Sequence, residues 1–222
     1  MNLVMLRQER VASGLGIDRM KCDNSESNMV ENRPVIAPLG YITIFASTKG
    51  GMDMSDAQDQ RLLEALLDSW DRNNTILISL LRLLSEGGPE GGLEAKAMDV
   101  SPSVSEMFTH IHHERMISVF EEAPEFAGNV PEKEWVDERD RDLVARMLSD
   151  SARRVRDAIK SRVESGRNLD LHFDHPILLL QLLIFHEAYH HGQIKLALKA
   201  AGRQVTDDEA GPATWDVWRR KK

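Results

Sequence analysis

Four long stretches of this chain repeat apolar residues every three or four positions, and no stretch of comparable length alternates apolar with polar. A helix turns once in about 3.6 residues, so each stretch predicts a helix with one apolar face. Four such helices can bury those faces only against one another, which predicts an all-α four-helix bundle. The first runs from about Asp56 to Leu84, with Leu63, Leu66, Leu67, Trp70, Leu77, Ile78, Leu81 and Leu84 on one stripe and Asn74 as a polar interruption. The run Gly87-Gly88-Pro89-Glu90-Gly91-Gly92 ends it.

The second helix opens at Ser103-Val104-Ser105-Glu106, the spacing of a capping box. It continues through Met107, His110, Met116, Ile117 and Phe120 until Pro124, Gly128 and Pro131 break it. The third spans roughly Glu138 to Val163, with Val144, Met147, Leu148, Ser151, Val155, Ile159 and Val163 facing inward and Gly166-Arg167-Asn168 closing it. The fourth starts near His175-Pro176, where proline suits a first turn. It runs to Ala201, with Gly202 as its stop. Its apolar run from Ile177 to Phe185 predicts the most buried helix of the four. A short last element around Thr214 to Arg219 brings Trp215 and Trp218 together and is expected to fold back onto the bundle. The connection from Glu121 to Asp137 is long enough to cross the whole bundle, which would make helices two and three parallel. The shorter loop between three and four fits antiparallel neighbours or a diagonal pair.

Residues 1–54 differ from residues 55–222. They mix Gly, Asn, Ser and Pro with isolated apolar residues and read as a disordered extension. Tyr41-Ile42-Thr43-Ile44-Phe45 has strand character without an evident partner. Met52 and Met54 stand just before the first helical pattern, and translation from either would leave about the first fifty residues out of the native product.

Net charge is −8. A general nucleic-acid binder needs a basic face, so this balance argues against one. The basic run Arg153-Arg154-Val155-Arg156 reads as a solvated helix face. A single cysteine, Cys22, precludes an intrachain disulfide and suits a reducing cytoplasm. No secretory signal and no membrane-length apolar stretch is evident.

All eight histidines fall between His110 and His191. His186 and His190 lie four residues apart, so both imidazoles leave one helix face, a spacing that can hold one transition-metal ion. Leu179, Leu182 and Ala197 project within about 40° of that direction, which places the pair inside. Two neutral imidazoles in an apolar core are costly without partners, and a metal supplies them. His110 sits on the inner stripe of the second helix and is the natural third ligand, with His113 in reserve. His112 and His191 point elsewhere; Glu187, His191 and Lys195 read as a surface row; His172 and His175 belong to a loop. Glu106, one turn before His110, is assigned first to the capping box. Gln193 lies near the histidine face and can orient a ligand imidazole or simply support packing. Glu106, His113, Asn74 and Gln193 are the candidates for residues around the ion, and no catalytic residue is assigned.

The segment His186-Glu187-Ala188-Tyr189-His190-His191-Gly192-Gln193-Ile194 resembles the HxxxH-[RH]-G-Q signature of the DinB-like (YfiT-like) metal-binding bundles. Ser103 to His110 is similar to that family's first ligand helix, with Glu106 four residues before the histidine. Trp70-Asp71-Arg72-Asn73-Asn74 and Trp215-Asp216-Val217-Trp218 resemble features of one branch, and the likeness covers about residues 57–219. The resemblance implies an up-down-down-up bundle, a divalent ion on three histidines matched here by His110, His186 and His190, and frequent homodimers. Some relatives are metal-dependent transferases or isomerases that use low-molecular-weight thiols. His191 stands where arginine is more common.

Two functions of different kinds follow. One is a metal-dependent thiol transferase, hydrolase or isomerase that binds zinc, nickel or iron and acts on a small-molecule electrophile with a thiol cosubstrate. The other is a non-catalytic, stress-associated metal-binding bundle in which the ion stabilises the fold or a dimer. A blander third reading is a structural bundle with satisfied core histidines.

Overall fold

The computed structural model describes residues 54–84 and 92–221. The expected strand at Tyr41–Phe45, Cys22, a start at Met52 and the glycine run from Gly87 to Gly91 lie outside them. Among the described residues all regular structure is helical. It comprises α1 (Met54–Leu83), α2 (Val104–Glu122), a 3-10 turn (Pro124–Phe126), α3 (Arg141–Ser165), α4 (Pro176–Ala200), α5 (Asp207–Ala213) and α6 (Trp215–Arg219).

The ends are set by the local chemistry that the sequence carries. Ser103 caps α2 through Glu106 N–H while Glu106 returns to the Ser103 N–H, completing the capping box. Asp140 caps α3 through Leu143 N–H, and Gly166 closes it in the left-handed region at φ 65°. His175 caps α4 with its ring Nδ1, which accepts from Ile177 N–H, and Pro176 fills the first turn.

The core falls into two apolar clusters. One joins Leu77, Leu81 and Leu84 of α1 to Met107, Phe108 and Ile111 of α2, Leu148 of α3 and Ile194 and Leu198 of α4. The other joins Leu63, Leu67 and Trp70 of α1 to Val119 of α2, Val155 and Ile159 of α3 and Leu179 and Leu183 of α4. Buried polar side chains lie between these sets in sequence on each of the four long helices: Asn73, Arg115, Ser151 and Glu187. Arg115 forms a two-pronged ion pair with Glu187, at 2.6 and 2.8 Å, and also donates to Asn74 Oδ1 and to the Leu148 carbonyl. Asn73 donates to Glu187 as well, and the Arg115 guanidinium lies 4.8 Å from the centre of the Trp70 ring.

Three expectations for α4 are corrected here. Only nine of its 25 residues are buried, against thirteen of 19 in α2, so α4 is not the most buried helix. Leu182 is 46% exposed, whereas Glu187, assigned to the surface, is only 1% exposed. Leu178, Leu182, Phe185, Tyr189 and Leu196 form an exposed apolar stripe along the outside.

The connection between α2 and α3 is strapped to the first half of α2. Thr109 Oγ1 donates to the Val136 carbonyl at 2.9 Å and accepts from Val136 N–H at 3.0 Å. Ser105 donates to the Glu138 carbonyl. At the other end of α2, the buried Glu122 carboxylate accepts from the backbone N–H groups of Leu171 and His172. The last helices fold back onto α1 as expected: Arg72 donates to the carbonyls of Val217, Trp218 and Arg220. The basic run is ion-paired, with Arg153 and Arg154 on Asp150 and Arg156 on Asp71.

Candidate metal centre

Three imidazoles meet where α2 and α4 pack together. His186 Nε2 lies 3.1 Å from His110 Nε2 and 3.0 Å from His190 Nε2. His110 and His190 are almost fully buried, and His186 is half-buried at the edge. In a neutral imidazole each nitrogen carries either one hydrogen or one lone pair. A single Nε2 therefore cannot satisfy two facing Nε2 atoms well, but a cation among them accepts a lone pair from all three.

The spacing fits that use. Nitrogens bound at about 2.0–2.1 Å from an ion are separated by about 2.9 Å at right angles and about 3.3 Å in a tetrahedron. The observed 3.0 and 3.1 Å fall between these. Protonation is also held in the ligating form. Burial and then the neighbouring His190 and His186 push the His110 pKa down to about 3. Burial and then His186 push His190 down to about 4, and burial lowers His186. The three residues can thus hold a metal ion.

Around them stand residues that sequence spacing did not single out. Trp135 stacks flat on His110, with ring centres 4.0 Å apart and planes within 4°. Glu134 Oε1 lies 2.9 Å from His110 Nδ1. Glu114 sits one helical turn beyond His110, and its negative charge is felt by all three imidazoles. Glu134 and Trp135 come from an irregular connection, where no period signals a contact. Glu114 is one turn from His110, and that spacing is the one signal that could have found it.

The other candidates are placed as follows. Glu106 serves the capping box. His113 Nδ1 lies 3.7 Å from Glu114 and stands outside the converging group. Asn74 accepts from Arg115, which holds Glu187 directly behind His186 in the chain. Gln193 donates to the Tyr189 hydroxyl at 2.8 Å and acts on His190 against the effect of burial. Tyr189 in turn packs edge-on against His190. His172 binds Glu122, and His112 is buried beside the Met147 carbonyl.

A sequence profile of the DinB family matches residues 54–216. This chain belongs to the DinB family. The match spans α1 to α5 and reaches the start of α6, so both ligand-bearing helices lie within the DinB region. No curated protein and no solved structure matches the chain. Among the described residues no helix of this DinB protein is long and apolar enough to cross a membrane.

Proposed function

We propose that this DinB protein is a divalent-metal enzyme in which His110, His186 and His190 hold the ion, with zinc, nickel and iron the ions that suit three imidazoles. The convergence of the three Nε2 atoms carries this reading. The reaction class is thiol-dependent transfer, hydrolysis or isomerisation of a small electrophile. A bound divalent ion lowers the pKa of a thiol or water and so supplies a nucleophile near neutral pH. Glu114 is the residue proposed to take up the released proton, since its carboxylate stands within 4.8 Å of a ring nitrogen of His110. Trp135 flanks His110 and offers the partly exposed aromatic surface that would receive the electrophile.

The test is elemental analysis of the purified chain beside His110→Ala, His186→Ala and His190→Ala. About one ion per chain is expected for the native protein, with a loss of at least tenfold in affinity for each variant. Full stoichiometry in all three variants would remove the site. Turnover is then sought with a panel of thiols and electrophiles. The near-complete burial of His110 and His190 also supports the non-catalytic reading, in which chelation lowers the melting temperature and no substrate is consumed.

The bundle is proposed to run up-down-down-up. Its support is the way the apolar clusters are shared: the first halves of α1 and α4 join the second halves of α2 and α3. The proposed assembly is a homodimer seated on the outer stripe of α4. Leu178, Leu182, Phe185, Tyr189, Gly192 and Leu196 recur at alternating intervals of four and three, the spacing of a helix–helix seam. Open space around Gly192 would let a second copy approach on a twofold axis.

A further inference from the structure

The connection between α2 and α3 carries more than chain continuity. Residues 134–138 are tied to α2 by the side chains of Thr109 and Ser105, which lie one and five residues before His110. The strap therefore has a fixed register against the helix that bears the ligand. Two consecutive residues of it address the same imidazole. Trp135 covers the face of the His110 ring, and the Glu134 carboxylate meets its Nδ1 edge at 2.9 Å. Both Nδ1 and Glu134 Oε1 are buried and neither makes another hydrogen bond, although they lie only 2.9 Å apart.

Glu134 also lies close enough to His110 and Glu114 to be counted among ligand donors. The ring geometry decides against that role. The two nitrogens of an imidazole point away from each other, and His110 Nε2 is the one that faces His186. A carboxylate at Nδ1 is therefore on the far side of the ring from the other two ligands. A small turn of the ring or carboxylate from this position lets Glu134 accept the Nδ1 hydrogen, which leaves the Nε2 lone pair free for the ion and makes that nitrogen a better donor.

We propose that Glu134 is the positioning residue of the metal centre: it fixes the tautomer and angle of His110, while Trp135 clamps the ring so that it cannot turn away. This rests on the three-histidine reading above. It adds that the ion's affinity depends on a residue that never touches the ion.

The experiment uses the full chain stripped of metal and titrated with Co2+, followed by visible absorption and by tryptophan fluorescence. For the native chain we expect one equivalent bound, with quenching of Trp135. Glu134→Ala should bind about 10–100-fold more weakly, with a changed absorption envelope. Glu134→Gln keeps an oxygen acceptor and should recover much of the loss. The metal-free urea midpoints should coincide for all three chains, which separates positioning from folding. Native affinity and an unaltered spectrum in Glu134→Ala would overturn the proposal while leaving the three-histidine site standing. Failure of the native chain itself to bind, or binding by His110→Ala as tight as native, would instead overturn the reading on which it rests.

Discussion

Glu187 puts a carboxylate where a bundle ordinarily packs a leucine, and Arg115 is its counterweight. Both are essentially inaccessible to water, and the pair is completed by Asn73, Asn74 and the Leu148 carbonyl. Removing one partner strands a charge, so Glu187→Ala should cost about 3–5 kcal/mol in urea unfolding. The double variant Arg115→Met with Glu187→Met should recover most of that loss. His112 gives a pH signature. Burial holds its pKa at about 4, against 6.5 when unfolded. Between those values the unfolded chain takes up a proton that the native chain refuses. Its contribution is complete above about pH 6.5 and is lost as pH falls towards 4, on the order of 3 kcal/mol. Unfolding midpoints at pH 7 and 4.5 should therefore converge in His112→Gln relative to the native chain. The misplacement of Glu187 in sequence reasoning has an angular cause. Taking the two histidines as the centre of the inner face put Leu182 in and Glu187 out. The buried residues of α4 are centred about 50° further round, so that His186 marks an edge of the inner face.

At the level of elements, helix boundaries were legible because caps and breakers are local. The capping box at Ser103, the proline at 176 and the left-handed Gly166 and Gly202 act within a turn of their own position. The face each helix presents was less legible on α4, because its apolar residues occupy two opposite sectors. One packs the core and the other is the outer stripe. If that stripe seats a second copy, Phe185→Lys, at its most exposed position, should turn a dimer into a monomer in sedimentation or light scattering without moving the metal stoichiometry. A monomeric native chain would end the dimer proposal. The strap over α2 was not legible at all. Its contacts are single hydrogen bonds between irregular backbone and helix side chains, and no periodicity records them.

Among the described residues, the bundle has two apolar clusters joined across a polar waist. The ion pair, His186 and His190 belong to segments that separate the two clusters in the chain, while His110 lies among the residues of the first cluster on α2. The strap makes this waist answerable to a stretch of chain that has no regular structure of its own. Evolution or engineering can lengthen the run from Gly128 to Lys133 with little consequence, since closing a slightly longer loop costs only a fraction of a kcal/mol, roughly. One residue added between Glu134 and Thr109's partner Val136 is a different matter: it would shift acid and indole out of step with the ring they serve, and on the proposed three-histidine site an ordinary surface insertion would read out as weakened metal affinity.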